Sequence, residues 1–439
     1  MHGDDAETGA EELIQAVSLS PANTLTEWLA LLETRHPKTI DLGLDRAEAV
    51  RARLGLQPPC PVITVAGTNG KGSVCAYLEA MLSAAGYRVG CYTSPHLLRY
   101  NERVRIGRQE ASDADLAAAF AAVEAARGDT ALSYFEQGTL AAVWLFQRQK
   151  VDVMVLEVGL GGRLDAVNLW DADCAVVTTI DLDHQDYLGP DREHIGFEKA
   201  GVFRAGRPAI CAEPNPPQSL LDHAARLGTR LLEIGRDIRF DIGIEDWACD
   251  VGGTGYARLP HPRMRGRHQY ANASAAIAAL WSLGERLPVD LHAIRAGLSE
   301  ARQPGRFQIV GERPRRVLDV AHNPESARGL AANLRELADG GEVHAVFAML
   351  ADKDIAAVAA ALGDVVGHWH IAGLNVPRGA DAEALAGVLR AAGYACTAHR
   401  DVATAWRSAC EAAKPADTIA AFGSFYTVAE IMAVPREIS

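Results

Sequence analysis

The stretch GTNGKGS, residues 67–73, follows the apolar β-branched run PVITVA and opens a segment with apolar residues at helical spacing. A glycine-rich turn between a buried strand and a helix lets several backbone N–H groups converge on one anion, and the helix N-terminus adds a favourable dipole. Lys71 can then reach a terminal phosphate. The stretch departs from the Walker A pattern G-x-x-x-x-G-K-[ST], because Gly72 follows Lys71 and Ser73 comes one position late. It is therefore either a different phosphate-binding loop or an ordinary glycine-rich turn with a surface lysine.

Apolar runs and helical patterns alternate along most of the chain. VDVMVLEVG and CAVVTTI have the composition of buried strands, and residues 113–127 form an alanine-rich helical pattern that begins with an Asp. This alternation indicates an α/β fold whose parallel sheet is covered by helices on both faces. It fades between about residues 236 and 260, where glycines and short polar runs predict a small β insertion.

Two α/β domains are predicted. Residues 1–20 are small and polar, and we expect them to be disordered. Residues 21–300 are predicted to form a larger α/β domain with a parallel sheet, which carries the GTNGKGS loop. Residues 301–307 combine Pro, Gly and charge, and they are predicted to be a hinge linker because strand and helix patterns resume after them. Residues 308–439 are predicted to form a smaller Rossmann-like domain.

Composition excludes some classes of protein. The 439 residues include 56 acidic and 43 basic ones, and the formal net charge of −13 argues against non-specific binding to nucleic acid or to anionic membranes. The eight cysteines are scattered without a C-x-x-C pair, which favours buried reduced thiols over zinc sites or disulfides. The acidic N-terminus does not have the pattern of a signal peptide, and no apolar run approaches the ~20 residues of a membrane span, so we expect a cytoplasmic protein.

Three polar residues follow predicted strands at the edge where a phosphate loop needs magnesium ligands. Ser94 follows RVGCYT, Glu157 ends VDVMVLE and His184 follows CAVVTTIDLD. The C-terminal ends of parallel strands meet at one edge of a sheet. A carboxylate at the end of an apolar strand is costly unless it is paired or binds a metal. Glu157 alone is as well explained as an ion-paired structural acid, and His184 alone as a polar loop residue. Their shared position predicts a Mg²⁺ site completed by water.

Three further positions carry polar groups whose role the residues alone leave open. Lys199, in GFEKAGVFRAG, has the pattern of a surface helix residue. Arg306 lies in the predicted hinge, where a guanidinium suits a phosphate that arrives between domains. DVAHNP, residues 319–324, ends a predicted strand, and its Asp and His are either caps or polar groups of the core.

Seven motifs, taken in order, resemble the bacterial folylpolyglutamate synthase/dihydrofolate synthase family of the Mur-ligase superfamily: GTNGKGS, YTSPHL, YFEQGTLAA, LEVGLGGRLDAVN, DHQDYLGPDREHIGFEKAGVFR, PGRFQ and DVAHNP. The resemblance extends from about Thr24 to the C-terminus. It implies that GTNGKGS is this superfamily's own phosphate loop. It also implies that residues 21–300 are a P-loop-type ATPase domain that binds ATP, Mg²⁺ and pteroate, and that residues 308–439 are the glutamate-ligase domain. It also implies an ATP-dependent ligase: ATP phosphorylates a substrate carboxylate, the amine of glutamate attacks the acyl phosphate, and ADP and phosphate are released.

The resemblance also implies which residues serve the reaction. Lys71, Glu157, His184 and Lys199 match its catalytic group. Ser94, Glu157 and His184 match the family's Mg²⁺ ligands, and Lys199 matches a lysine that is carbamylated in relatives and serves a second Mg²⁺. The implied ATP contacts are Gly67, Thr68, Asn69, Gly70, Lys71, Gly72, Ser73, Asn272, Arg306, Asp319 and His322. The implied pteroate and folate contacts are Thr34, Arg35, His36, Ser133, Tyr134, Phe135, Glu136, Leu164, Asp165 and Ala166.

The substrates that the resemblance implies are ATP, L-glutamate, dihydropteroate and reduced folates, with Mg²⁺ as cofactor, room for a monovalent cation, and a monomeric enzyme. SYFEQGTLAA resembles the bifunctional pattern, although Ser133 stands where the family usually has Thr. Asp181 stands where relatives often carry a small residue. A carboxylate there either changes metal affinity or pairs with a neighbouring group.

Two other functions remain as alternatives. Another Mur-type ligase, acting on a cell-wall precursor, shares the phosphate loop, but such enzymes usually begin with a UDP-binding domain, and here the loop already arrives at Gly67. A nucleotide-gated binding protein without ligase chemistry is the second alternative. The metal set, the hinge arginine and the second domain argue against it. ATP turnover that depends on both glutamate and a pteroate would separate the three.

Overall fold

The computed structural model describes residues 24–35, 41–337 and 340–434, and they form an α/β fold with two large sheets. The helices are α1 (Leu25–Arg35), α2 (Asp45–Leu54), α3 (Lys71–Ala84), α4 (Asp113–Arg127), α5 (Tyr134–Arg148), α6 (Gln185–Leu188), α7 (Arg192–Ala200), α8 (Gln218–Leu227), α9 (His268–Ser282), α10 (Leu291–Glu300), α11 (Pro324–Leu337), α12 (Ile355–Leu362), α13 (Ala382–Ala391), α14 (Val402–Ala412) and α15 (Phe425–Ala433). The strands are β1 (Val62–Ala66), β2 (Val89–Tyr92), β3 (Val104–Ile106), β4 (Gln109–Glu110), β5 (Val153–Glu157), β6 (Cys174–Val177), β7 (Pro208–Cys211), β8 (Arg230–Glu233), β9 (Ile238–Ile242), β10 (Trp247–Val251), β11 (Thr254–Leu259), β12 (Gln308–Glu312), β13 (Arg315–Leu318), β14 (Val343–Phe347), β15 (His368–Ala372), β16 (Cys396–His399) and β17 (Thr418–Phe422).

The N-terminal sheet has the strand order β4-β3-β2-β5-β1-β6-β7-β8. The six strands β2-β5-β1-β6-β7-β8 are parallel. At the edge beside β2, β3 and β4 add antiparallel strands. The central strands β1 and β5 are buried along their whole length. One apolar cluster packs α3, α9 and α10 on one face, and a second packs helices α1, α2, α4 and α5 on the other. The predicted parallel sheet with two covered faces is therefore confirmed.

The predicted β insertion between residues 236 and 260 is a three-stranded antiparallel sheet, β11-β10-β9. Its inner side chains Trp247 and Cys249 are buried, and they join the cluster that contains α9. The insertion therefore covers the α9 side of the larger sheet rather than forming a separate unit.

The C-terminal sheet has the order β12-β13-β17-β14-β15-β16, and only β12 runs antiparallel to its neighbour. It has its own apolar clusters on both faces. The second, Rossmann-like α/β domain is confirmed as a fold class. The chain changes sheets within residues 301–307, which were predicted to be a hinge. None of the helices in the described part of the chain is both long and apolar enough to cross a membrane.

A row of histidines crosses adjacent strands of the C-terminal sheet. His344 Nδ1 lies 3.4 Å from His370 Nε2, and His370 Nδ1 lies 3.3 Å from His399 Nε2. The row ends at Asp417, whose Oδ2 is 3.7 Å from His344 Nε2. Neutral imidazoles can form such a row, because each ring can donate one N–H and accept one hydrogen bond. Burial, with the neighbouring rings His368, His344 and His399, lowers the pKa of His370 to about 3.

We expect this row to make stability depend on pH. Native His370 stays neutral, while an unfolded histidine takes up a proton below its ordinary pKa of about 6.5, so the free energy of unfolding falls as pH decreases from about 6.5 towards 3. The substitution His370→Gln should flatten that dependence in thermal unfolding scans between about pH 7 and about pH 5. The exposed His292→Gln is the control. An unchanged pH dependence in His370→Gln would contradict the assignment.

Candidate active site

A cavity of about 450 Å³ lies at the C-terminal ends of the strands of both sheets. Its walls come from the loops after β1, β2, β5 and β6 and, on the other side, from the loops after β13, β14, β15 and β17. Parallel strands place their following loops at one edge, which is where ligands bind in open α/β sheets. Both domains therefore present their functional edges to the same space.

The backbone of the loop after β1 is held close to the sheet, and this leaves room for a ligand beside the loop. Gly67 and Gly70 have φ of 146° and 90°, which favour glycine. A Cβ on Gly67 would lie 1.7 Å from Thr178 Oγ1, so only glycine fits against β6. The ammonium of Lys71 donates to the carbonyls of Gly67 and Thr68 at 2.8 and 3.1 Å, and burial lowers its pKa. The loop thus carries a desolvated cation that an anion would stabilise.

The same loop is contacted from the C-terminal domain. The Asn69 side-chain amide donates to Asn323 Oδ1 at 3.1 Å and to Glu325 Oε2 at 2.6 Å. The Thr179 hydroxyl, which accepts from the Asn69 N–H, also donates to Glu325 Oε2 at 2.9 Å. The phosphate-loop geometry is consequently linked to the start of α11.

Three further predicted residues lie behind the loop. Asn272 Oδ1 would be 2.6 Å from a Cβ on Gly70, so α9 packs directly on the loop. Asn272 donates to Gln269 Oε1 at 3.3 Å, and Gln269 donates to the Ser73 hydroxyl at 3.3 Å. Gly72 lies against Gln303, on the segment between the sheets. Asn272, Gly72 and Ser73 therefore support the loop and are not among the described residues that line the cavity.

Glu157 is a buried carboxylate that ends β5 and lines the cavity. Its Oε2 accepts the Ser94 backbone N–H at 3.1 Å, and burial raises its pKa although Lys71 and Arg306 favour the charged form. Ser94 and His184 line the same cavity. Burial lowers the pKa of His184 to about 4, so its imidazole is neutral and its lone pair is available at neutral pH.

This donor set fits a hard divalent cation. Among the described residues no group of three His, Cys, Asp or Glu side chains is placed for a metal, and the predicted set of Ser94, Glu157 and His184 supplies one hydroxyl, one carboxylate and one imidazole. Mg²⁺ usually takes only a few protein ligands and keeps waters and phosphate oxygens as the rest. A buried carboxylate whose neutral form is favoured by burial gains most from such a cation.

Asp183, next to His184, joins the two domains. It contacts the ammonium of Lys353, and its Oδ2 lies 3.6 Å from His322 Nε2 and 3.5 Å from Asn323 Nδ2. Burial alone would raise its pKa, but His322 and the neighbouring positive charges hold that pKa well below its usual range. His184 itself has φ of 52°, an uncommon value that places its ring at the cavity wall.

Lys199 is a buried lysine on α7 that faces the cavity. Burial, reinforced by the charge of Lys71, lowers its pKa to about 7. A substantial fraction of this amine is therefore neutral and nucleophilic at neutral pH. The default interpretation of Lys199 as a surface helix residue is wrong.

Arg306 and Asp319 are both partly buried, at the entrance to the second domain. The Asp319 carboxylate accepts the N–H groups of Phe307 and Ala321, each at 2.8 Å. Arg306 lines the cavity, with its guanidinium 5.6 Å from the ring centre of Phe425. Asp319 is not among the lining residues, and its hydrogen bonds hold the backbone that carries Arg306.

The start of α5 forms the far end of the cavity. Ser133 and Glu136 cap the helix reciprocally: the Ser133 N–H donates to Glu136 Oε2 at 2.7 Å, and the Glu136 N–H donates to Ser133 Oγ at 3.3 Å. Phe135 packs against Gly159, where a Cβ would lie 2.6 Å from the ring. These three predicted residues line the cavity together.

Asp165 closes this end. It accepts the N–H groups of Leu160 at 2.9 Å and Val167 at 3.0 Å, and burial raises its pKa to about 6. Leu164 and Ala166 flank it along the cavity wall.

Other predicted contacts lie elsewhere. Thr34 donates to Leu31 O at 3.2 Å, and Arg35 pairs with Glu124. Neither is among the described residues that line the cavity, and nor is Tyr134, whose ring stacks with Arg103 at 5.6 Å. His36 lies outside the described residues. The segment that lines the cavity in this region is instead residues 41–43.

The sequence reasoning also missed a group of cationic and hydroxyl side chains on the second-domain side: Lys353, Arg378, Ser424 and Tyr426. Lys353 follows β14, and Ser424 follows β17. The rule that singled out Ser94, Glu157 and His184 in the first sheet would have found them in the second. Residues 41–43 had a weaker signal, an acid and a glycine between two helical patterns.

Asp181 turns towards Arg328 of α11, with Oδ2 3.1 Å from Nη2. It is not among the described residues that line the cavity. Of the two effects considered for this extra carboxylate, the geometry favours pairing with a neighbour over a change at the metal.

Comparison with known proteins places this chain in a family. Residues 65–280 match the family model of the Mur ligase middle domain, and residues 305–425 match that of the Mur ligase glutamate ligase domain. The dihydrofolate synthase/folylpolyglutamate synthase of Escherichia coli (strain K12) is 51% identical over 415 residues, which are 94% of this chain and 96% of that protein. The enzyme of the same description from Haemophilus influenzae is 40% identical over 441 residues, covering 95% and 99%.

Solved structures of the same family are also similar to this chain. E. coli FolC in complex with DHPP and ADP has a TM-score of 0.90 and 50% identity, covering 94% of this chain and 98% of that one. A bifunctional folylpolyglutamate synthase/dihydrofolate synthase with Mn, AMPPNP and L-glutamate bound has a TM-score of 0.87 and 49% identity, covering 93% and 97%.

We expect the Asp181–Arg328 pair to contribute little to stability. Both side chains are partly exposed, so a double-mutant cycle with Asp181→Ala and Arg328→Ala should give a coupling below about 1 kcal/mol that disappears at high salt. Thermal unfolding at low and high salt measures it. Weaker binding of a divalent cation in Asp181→Ala, with Arg328→Ala unchanged, would contradict this and assign the carboxylate to the metal site.

Proposed function

This chain belongs to the dihydrofolate synthase/folylpolyglutamate synthase family of Mur ligases, and on that premise we propose how its residues carry out the reaction. It is an ATP-dependent ligase that joins L-glutamate to dihydropteroate, forming dihydrofolate, and to reduced folates, forming folylpolyglutamates. The observation that carries the assignment of roles is one cavity that collects a phosphate loop, a buried carboxylate and basic side chains from both domains.

In this proposal, residues 67–73 hold the triphosphate, and the ammonium of Lys71 exchanges two loop carbonyls for phosphate oxygens. The desolvation of that ammonium supports the role, because a buried cation binds an anion more strongly than an exposed one does. Arg306 reaches the phosphates from the second domain, positioned by Asp319. Asn272 packs on the loop and supports its conformation. His322, beside Asp183, is proposed to contribute to ATP binding.

Ser94, Glu157 and His184 would hold a divalent cation, which, when bound, neutralises charge on the phosphates and fixes their orientation. The bound Mn in a relative supports the use of a divalent metal. A second Mg²⁺, a monovalent cation, a monomeric state and a cytoplasmic location stay predictions.

The acid substrate is proposed to lie between the start of α5 and Asp165, with its carboxylate directed towards the phosphate loop. A carboxylate oxygen attacks the terminal phosphorus of ATP, ADP leaves, and an acyl phosphate remains. Phe135 offers an aromatic face to a pterin ring, and Asp165 and Glu136 offer carboxylates to its ring N–H groups. The DHPP in E. coli FolC supports a pteroate-type ligand in this family.

The amine substrate is proposed to enter from the second-domain side. Lys353 and Arg378 are basic groups suited to the two carboxylates of glutamate, and Ser424 adds a hydroxyl. The amine, after losing a proton, attacks the acyl carbon, and phosphate leaves from the tetrahedral intermediate. Positioning of the two substrates across the domain boundary supplies much of the rate.

Product analysis by mass spectrometry tests the proposal. Purified protein is given ATP, Mg²⁺ and glutamate, with dihydropteroate and tetrahydrofolate in separate reactions. A glutamate adduct on both acids is expected. An adduct on tetrahydrofolate alone would restrict the function to polyglutamate synthesis. No adduct, with ATP intact, would overturn it in favour of a nucleotide-gated binding protein or a ligase for another acid.

We expect Glu157→Gln to reduce ligation at least roughly a hundredfold while the thermal unfolding midpoint is kept or raised, because the amide loses the metal ligand and also the cost of burying a charge. The exposed Glu312→Gln should behave as wild type. Retained ligation in Glu157→Gln would remove Glu157 from the metal site.

Lys199 is proposed to be carbamylated. Its neutral amine attacks CO₂, forms an N–C bond and releases a proton, so that a buried cation becomes an oxygen ligand. Lys199→Ala should lose ligation, and bicarbonate or a short carboxylic acid should restore part of it, whereas Lys414→Ala should stay active. An intact mass of the active, magnesium-loaded enzyme without the added carboxylate would count against the carbamate.

A further inference from the structure

Arg46, on α2, joins two carboxylates that belong to different parts of the chain. Its Nη1 lies 2.8 Å from Asp41 Oδ2, and its Nη2 donates to the Asp41 carbonyl at 2.9 Å and to Glu136 Oε1 at 3.1 Å. Arg46 Nε is buried without a hydrogen-bond partner in the described part of the chain. The guanidinium is therefore held by Asp41 and Glu136 at its tip.

Both carboxylates belong to the cavity wall. Glu136 is buried, and its other oxygen accepts the Ser133 N–H that begins α5. Asp41 starts the segment of residues 41–43, which lines the cavity outside any helix or strand and leads into α2. One guanidinium thus connects a helix cap to a loop some 90 residues earlier in the chain.

Charge favours this connection. Arg46 places one positive charge between the Asp41 and Glu136 carboxylates, which repel each other more strongly when that charge is removed. An acid substrate, which is itself an anion, would then approach a more negative wall. Glu136 is fixed by its capping bonds, whereas residues 41–43 lie outside any helix or strand, so loss of Arg46 should displace residues 41–43 rather than Glu136.

We propose that Arg46 is a positioning residue for the acid substrate. It holds residues 41–43 against the start of α5 and neutralises that wall, so that the pteroate end of the cavity is formed before the substrate arrives. The inference rests on the proposed function and adds to it a residue that lies outside the substrate's own contacts. Because the contacts of Arg46 are with Asp41 and Glu136 at the pteroate end of the cavity, ATP binding should not depend on it.

The substitution Arg46→Met tests the inference, since it keeps the apolar stem and removes the fork. We expect the KM for dihydropteroate and for tetrahydrofolate to rise roughly tenfold or more, with the KM for ATP within about twofold of wild type. Arg46→Lys should restore part of the loss, because a single ammonium can satisfy one carboxylate. Arg53→Met is the matched control: Arg53 lies on the same helix and donates to the carbonyls of Ala126 and Arg127.

Dihydropteroate binding without glutamate, followed by titration calorimetry, gives a second readout that needs no turnover. Weaker binding in Arg46→Met than in wild type supports the inference even where ligation is slow. Equal binding, or equal increases in the KM of all substrates together with a lower unfolding midpoint, overturns it and leaves Arg46 as a structural residue. Failure of wild type to bind dihydropteroate overturns the proposed function, and this inference with it.

Asp41→Asn completes a double-mutant cycle with Arg46→Met. If the ion pair positions residues 41–43, the two changes should raise the KM for dihydropteroate by less together than the product of their single effects. Independent, multiplicative effects would contradict a shared role. Should Arg46→Met fail to fold, Arg46→Lys and Asp41→Asn carry the same cycle with the charge on residue 46 retained.

Discussion

The geometry of the cavity depends on the close approach of the loop after β1 to the residues that follow β6. Gly67 lies so near Thr178 that no side chain fits, and the Thr178 hydroxyl donates to the Asn69 carbonyl at 2.6 Å. This contact fixes the direction in which α3 leaves the sheet. It also brings the Lys71 ammonium back over its own loop, because the first turn of the helix starts there. The remaining site residues are arranged around a loop whose backbone has one available path.

Electrostatics then explains why an acidic protein can bind polyanions. Acidic residues outnumber basic ones in the whole chain, yet basic side chains slightly outnumber acidic ones along the cavity. Burial disfavours the charged forms of Lys71, Lys199 and Glu157 alike. Bound ligands of the opposite sign would offset the cost of burying these charged groups. This balance of charges supports the proposed binding of phosphates and a cation in one site.

Much of this could be predicted from the sequence, because local patterns determined it. The helix over residues 113–127 has the predicted bounds, and the strand-end rule placed Ser94, Glu157 and His184 on one cavity. The predictions that failed concern site residues whose position depends on contacts between distant segments. Residues 41–43 reach the cavity through Arg46 and Glu136, which no local pattern connects, whereas Thr34 and Arg35 belong to a helix held elsewhere by Glu124.

Hydrogen bonds and ion pairs cross the boundary between the two domains. Asn69 and Thr179 are held by Glu325, and Asp183 is held by Lys353 and His322, so the loop and the neighbour of His184 both depend on the second domain. Each of these bonds joins two polar side chains, and Asn69, Asp183, Lys353 and His322 also line the cavity. Contacts of this kind gain little from burial of apolar area, and bound ligands can replace their hydrogen bonds. Lys353 can leave Asp183 for a substrate carboxylate, and Lys71 can leave its loop carbonyls for a phosphate. The exchange of partners that binds the substrates would thus also change the contacts between the domains. Substrate binding would in this way be coupled to the relative position of the domains.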